Sequence, residues 1–187
     1  MRRVIKIGGS LLLRDDLPAA FQSWLAAQRP AENIVIVGGG ELIDAIRRLD
    51  ALRPSESSDV HWRCVRLLEM TYRIVCDWFP KWDHVDSFAE FQRGINFGFS
   101  SGKPTLVEVS SFYRVNAKHD LPLDWRTTTD AIAALLAIKS SADEVVLLKS
   151  CDVDTSRSIA DLATAGIVDQ AIPLISDQLK SIRIEKL

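Results

Sequence analysis

Two short runs of β-branched residues, each stopped by glycines and each followed by helical spacing, fill the first fifty residues and constrain the fold more than any other feature. Arg3 to Ile7 reads as a buried strand closed by Gly8-Gly9-Ser10, and Asn33 to Val37 as a second closed by Gly38-Gly39-Gly40. After the first turn, Leu17, Phe21, Trp24 and Leu25 recur on helical spacing within Leu17 to Gln28, with Asp15 and Asp16 before it and Pro30 behind. After the second, Leu42, Ile43, Ile46 and Leu49 do the same. Strands alternating with helices of this length require a parallel sheet covered on both faces.

The alternation resumes further on. Thr105 to Val109 and Glu144 to Leu148 read as strands separated by an Ala-rich helix from about Thr128 to Ile138. Arg157 to Ala165 reads as another helix ended by Gly166, and Ser181 to Glu185 as a final edge strand. Ser58 to Phe79 has the spacing of a long amphipathic helix, and Ser87 to Phe91 of a shorter one. The expected architecture is a three-layer αβα sandwich with a mainly parallel central sheet, in one domain over residues 1–187. A chain of 187 residues, 47% hydrophobic, has enough apolar material for one such core.

Charge and cysteine usage narrow the partners. Lys and Arg number 23 against 25 Asp and Glu, with a sequence pI near 5.9 and no basic block, which argues against a nucleic-acid or anionic-membrane surface. No apolar run approaches the roughly 20 residues of a membrane-spanning helix. Lys6 and Gly8-Gly9-Ser10 interrupt the apolar stretch after Met1-Arg2-Arg3, so no secretory segment is read there and a cytoplasmic protein is expected. Cys64, Cys76 and Cys151 are widely spaced and form neither a disulfide framework nor a zinc signature. A small anionic molecule is the expected partner.

In open parallel sheets ligands bind beyond the carboxyl ends of the strands, where both glycine turns lie. Glycine lets the backbone approach an anion closely, so loop N–H groups and the following helix N-terminus can cradle phosphate oxygens. Neither turn fits a standard nucleotide motif. The Gly-Lys pair at Gly102-Lys103 is followed by Pro104, not by the Ser or Thr of a P-loop. A dinucleotide fingerprint starting at Gly38 would need glycine where Ile43 stands.

Three charged residues accompany the turns. Lys6 lies inside the first strand between Ile5 and Ile7, and Lys149 closes the apolar run Val145 to Leu148. Each lysine alone could simply reach water at a strand end; a pair at corresponding strand ends suits a polyphosphate, which would keep buried ammonium groups charged. Asp130 falls in the first turn of the Ala-rich helix, where it complements the helix dipole. A carboxylate there could also fix both ammonium groups.

Taken in order, Val4-Ile5-Lys6-Ile7-Gly8-Gly9-Ser10, Ile34-Val35-Ile36-Val37-Gly38-Gly39-Gly40, Thr128-Thr129-Asp130-Ala131-Ile132-Ala133 and Leu147-Leu148-Lys149-Ser150-Cys151-Asp152 resemble the signatures of the amino acid kinase superfamily. The resemblance implies an αβα sandwich that uses ATP and Mg2+ to phosphorylate a carboxylate, carbamate or phosphate oxygen. It implies that Lys6 contacts the transferred phosphoryl group and that Gly8, Gly9 and Ser10 hold nucleotide phosphates. Gly38, Gly39 and Gly40 would face the acceptor, with Thr128 and Thr129 beside them. Asp130 would organise the lysines, and Lys149, Ser150 and Asp152 would belong to the nucleotide-side loop. No metal-ligating residue is assigned.

Ser58-Asp59-Val60-His61-Trp62, continuing to Leu67-Leu68-Glu69-Met70, and Leu121-Pro122-Leu123-Asp124-Trp125 are similar to the short branch that includes aminomethylfuran phosphate kinase of methanofuran synthesis. That similarity implies a phosphomonoester acceptor converted to a diphosphate, with His61 and Trp62 at its pocket. Two other readings stay open: a carboxylate kinase making an acyl phosphate, and a domain that binds an anionic metabolite without chemistry. Asp83-His84-Val85-Asp86 reads as a solvated polar turn, and Trp62, Trp78, Phe79 and Trp82 as core aromatics. The apolar stripe of Ser58 to Phe79 leads to the expectation of a homodimer.

Overall fold

A computed structural model describes residues 1–187. Six strands form one parallel sheet in the order β3-β4-β2-β1-β5-β6, comprising β1 Arg2–Ile7, β2 Glu32–Val37, β3 Asp83–Val85, β4 Thr105–Val107, β5 Glu144–Lys149 and β6 Ile182–Lys186. Helices cover both faces: α1 Leu17–Ala26, α2 Gly40–Leu52, α3 Ser57–Trp78, α4 Phe88–Phe97, α5 Thr129–Lys139 and α6 Ile159–Thr164. The expected three-layer αβα arrangement is what the chain adopts, and the sheet is parallel throughout.

Strand alternation divides the core. Val4, Ile34, Ile36, Val145 and Leu147 face α5, whereas Ile5, Ile7, Val35, Val37, Val146 and Leu148 face Leu17 and Phe21 of α1 and the C-terminal half of α3. Lys6 therefore rises on the α5 face, in register with Ile36 on one side and Leu147 on the other. Lys149 lies two residues beyond Leu147 and takes the same face. The chain builds outward from β1 in one direction and returns to its other side with β5, so the switch of direction falls beside β1, between the two lysines.

Helix α3 uses its apolar stripe inside the molecule. Val65 and Leu68 join the core on one side of the sheet, Tyr72 and Val75 the core on the other, and Met70 and Ile74 stay exposed. No helix is long and apolar enough to cross a membrane.

Several boundaries differ from the sequence reading. Asp83 to Val85 is not a solvated turn but a three-residue edge strand paired with β4, with Val85 buried in the core and Asp83 paired with Lys103 at 2.7 Å. β4 ends at Val107 instead of Val109, because the buried Glu108 turns its carboxylate back onto Ser110 N–H at 3.2 Å and starts a 3₁₀ turn over Val109–Ser111. The helix read as Ser87 to Phe91 runs on to Phe97: Ser87 and Glu90 form a reciprocal N-terminal cap, and Gly98, at φ +92°, ends it. The helix read as Arg157 to Ala165 is shorter, capped by Ser158 and ending at Thr164.

Candidate active site

Three helical N-termini meet at the carboxyl ends of the central strands. Gly8 N–H donates to Leu148 C=O at 3.0 Å and Gly38 N–H to Ile7 C=O at 2.9 Å, so each turn is tied to the neighbouring strand before its helix begins. The two turns then touch through bare backbone. A Cβ on Gly9 would lie 2.1 Å from Gly40 N, and Gly40 has φ +54°, so this contact exists only because both positions are glycine.

Beneath the turns, Lys6, Lys149 and Asp130 converge. Lys6 Nζ lies 2.9 Å from Asp130 Oδ1, and Lys149 Nζ donates to Asp130 Oδ2. Their side chains are only 7%, 13% and 4% exposed, so solvent screens these charges poorly. Burial alone would raise the Asp130 pKa, but the two ammonium charges outweigh it and hold the carboxyl below the usual range. Burial, then repulsion from Lys6, lowers the Lys149 pKa against the pull of Asp130. Two cations share one carboxylate, an arrangement with room for an added anion.

A cavity of about 170 Å³ opens beside this cluster. Lys6, Gly9, Ser10, Gly39 and Gly40 form its floor; His61, Thr127, Thr128 and Thr129 line its walls, with Val60, Val65, Leu68 and Ile132 as the apolar part. Trp125 and Arg47 stand at the same cavity, the guanidinium 4.9 Å from the ring centroid, and Trp125 Nε1 donates to Asp50 at 2.8 Å. A separate groove is lined by Ser10, Leu11, Arg14, Ser150 and Lys186. Ser10 belongs to both hollows, and its hydroxyl is 2.8 Å from that of Ser150.

The other residues singled out by sequence fall around these hollows. Gly8 and Gly38 are buried behind the turns. Trp62 packs on Tyr113 at 5.1 Å between centroids and is not part of the cavity wall. His61 Nε2 is 2.8 Å from Tyr113 Oη, and burial lowers the His61 pKa, so it sits in the wall as a neutral, partnered ring. Asp152 is exposed and pairs with Lys186 at 2.9 Å. Burial raises Cys64, also in the wall, to about 11, which makes it a poor nucleophile at neutral pH.

Sequence reading missed Thr127 and Asp169. Thr127 is buried, lines the cavity, and its Oγ1 has no hydrogen-bond partner. Asp169 caps α5 from 41 residues away, and no pattern in the letters around it singles it out. No group of three or more His, Cys, Asp or Glu side chains is placed to hold a metal ion, and the carboxylates of Asp130 and Asp169 are already engaged.

A parallel αβα sandwich with two touching glycine turns and a Lys-Asp-Lys cluster at its switch point has the amino acid kinase-like fold. Solved structures with this fold to which the chain is similar include uridylate kinases. The enzyme from Archaeoglobus fulgidus is 19% identical with a TM-score of 0.62, over 99% of this chain and 91% of that one. The Ureaplasma parvum UMP kinase is 12% identical with a TM-score of 0.63, over 100% and 90%. The Bacillus anthracis UMP kinase is 12% identical with a TM-score of 0.65, over 99% and 86%. No family model and no curated protein matches the sequence.

Proposed function

We propose that the protein is an ATP-dependent small-molecule kinase that transfers the γ-phosphoryl group to an oxyanion, a phosphomonoester that becomes a diphosphate. The observation that carries this reading is the meeting of two hollows at Ser10, one of them lined by Lys6, whose buried ammonium group shares the Asp130 carboxylate with that of Lys149. The groove on the Ser150 side suits the nucleotide, and the cavity on the His61 side suits the acceptor. The solved uridylate kinases with this fold support a phosphomonoester acceptor.

In this reading the acceptor phosphate oxygen attacks the γ-phosphorus, the bond to the β,γ-bridging oxygen breaks, and ADP leaves with that oxygen's charge. The acceptor is already an anion at neutral pH, so no side chain has to remove a proton. Lys6 and Lys149 neutralise charge on the transferring group, the glycine-turn amides hold its oxygens, and Asp130 keeps the ammonium groups aimed. Magnesium would enter on the nucleotide and spread charge over its phosphates.

The apolar walls and the Trp125 ring at the same cavity suit a small ring-bearing acceptor, of the aminomethylfuran phosphate kind. A mass-spectrometric screen of phosphomonoesters with ATP and magnesium, including UMP and aminomethylfuran phosphate, tests this. Gain of one phosphoryl group by a phosphomonoester supports the assignment. Hydroxylamine-trapped acyl phosphate from a carboxylate would redirect it, and failure to bind or turn over ATP would remove it.

Thr127 offers a narrower test of the acceptor cavity. A buried hydroxyl without a partner costs stability until a ligand supplies one. Thr127→Val is therefore expected to leave the melting temperature unchanged or higher while raising the acceptor KM roughly tenfold, about the worth of a hydrogen bond to a charged group. An unchanged KM would remove Thr127 from the acceptor site.

A further inference from the structure

We infer that Asp169 is a positioning residue for the transfer centre: by clamping the first turn of α5 from a distant connection, it fixes Asp130 between the ammonium groups of Lys6 and Lys149. The kinetic part of this inference rests on the kinase reading; the geometric part does not.

The first turn of a helix leaves its N–H groups without intrahelical partners. In α5 the side chain of Thr128, at the N-cap, makes no cap bond. Instead Thr128 N–H and Ala131 N–H donate to Asp169 Oδ2 at 2.8 and 2.9 Å, and the Thr128 hydroxyl donates to Oδ1 at 2.5 Å. Asp130 lies between the two clamped amides. The turn cannot rotate or slide without breaking one of these bonds, and any such movement would draw the Asp130 carboxylate off its lysines.

The clamp is itself anchored. Val168 is buried on one side of Asp169, Ala171 and Ile172 on the other. Ile167 N–H donates to Leu162 C=O at 2.9 Å, and Ala171 N–H to Arg126 C=O at 3.0 Å. The same connection thus grips the chain just before Thr128 as well as at Thr128 and Ala131.

A local cap could have served an ordinary helix, since Thr128 has both the residue type and the extended backbone for it. A remote carboxylate placed beside Asp130 carries an electrostatic cost: desolvation, reinforced by the Asp130 charge, raises the Asp169 pKa to about 6. The charged groups that act on Asp169 are Asp130 of α5, Lys6 of β1 and Lys149 of β5. Tolerating like charges side by side makes sense where the geometry of Asp130 matters more than the stability of the helix end.

Removing a neighbouring negative charge and loosening the clamp shift Asp130 in opposite directions, which makes the inference testable. Asp169→Asn keeps an oxygen for the two amides and an NH₂ for the Thr128 hydroxyl, so the clamp survives while the charge goes. Asp169→Glu keeps the charge but displaces the carboxylate by a methylene, and remains informative if Asp169→Ala does not fold. The direct readout is the Asp130 carboxyl titration by carbon-13 NMR in the full chain.

The Asp130 pKa is expected to rise in Asp169→Glu and Asp169→Ala, as its ion pairs slacken, and to stay low or fall in Asp169→Asn. A wild-type titration in Asp169→Glu, or a fall in Asp169→Ala matching that in Asp169→Asn, would overturn the inference. In turnover, kcat per folded molecule is expected to drop roughly thirtyfold or more in the Glu and Ala variants with the MgATP KM within about threefold, and to recover in Asp169→Asn to within about fivefold. Wild-type kcat in folded Asp169→Ala would also overturn it. Absence of transfer by the wild type would sink the kinase reading instead, and the titration would still decide Asp169.

Discussion

Asp130→Ala is expected to abolish phosphoryl transfer and to cost the fold about 3 to 5 kcal/mol, the penalty for leaving a buried charge without its partner. Two ammonium groups, both largely enclosed, would lose their shared counter-ion and repel each other. Lys6→Met is the informative contrast. It leaves the Lys149–Asp130 pair in place and removes the repulsion that helps to lower the Lys149 pKa, so stability at pH 7 should change little. Transfer should still fall roughly a hundred- to a thousandfold, the range for losing one charge-stabilising donor in a transition state. Urea unfolding beside an ADP-release assay checks both. Equal destabilisation in the two variants, or turnover surviving in either, contradicts the charge balance drawn for the site.

A second consequence concerns alkaline pH. With the Lys149 pKa lowered in the fold, the unfolded chain binds more protons than the native one in the window just below the ordinary lysine value. Stability contributed through this group therefore rises with pH across that window. Lys6→Met should flatten the rise, because the repulsion that widens the gap is gone.

What could be read from the letters was local. A β-branched run stopped by glycines is a short pattern, and so is a lysine inside an apolar strand; Lys6, Lys149 and Asp130 emerged from such patterns, and the fold brings the three together. Asp169 and Thr127 did not. Asp169 acts only through groups 38 and 41 residues earlier, and the Thr127 hydroxyl is distinguished by a partner it lacks, which no letter encodes. The edge strand Asp83–Val85 was hidden for a related reason: two of its three residues, Asp83 and His84, are polar, and pairing with β4 makes the segment a strand. The interleaved order that places β4 between β2 and β3 follows from long-range packing as well. Trp62 shows the opposite limit, since its neighbour His61 lies in the cavity wall while Trp62 itself turns onto Tyr113.

Gly9→Ala is expected to reduce transfer roughly a hundredfold, the scale of an ångström-sized misplacement of reacting groups. The added methyl would sit 2.1 Å from Gly40 N and 2.6 Å from Gly40 Cα, whereas comfortable contact needs about 3.5 Å. Both obstacles are backbone, so no side-chain rotation relieves them, and the turns after β1 and β2 must part by an ångström or more. Overpacking of this kind costs about 1 to 3 kcal/mol, which melting curves would register. Gly102→Ala, where nothing lies within 4 Å of the added atom, is the control and should be silent in both measurements. Gly40→Ala strains a residue at φ +54° and drives its own methyl to 2.6 Å from Gly9 C=O, so it opens the same contact from the other side. The double variant should then lose less than the sum of the two single losses, because turns already separated for one methyl offer less resistance to the second. Strict additivity would mean that the two glycines act independently, and that the amide-lined floor shared by the hollows is not held together by their contact.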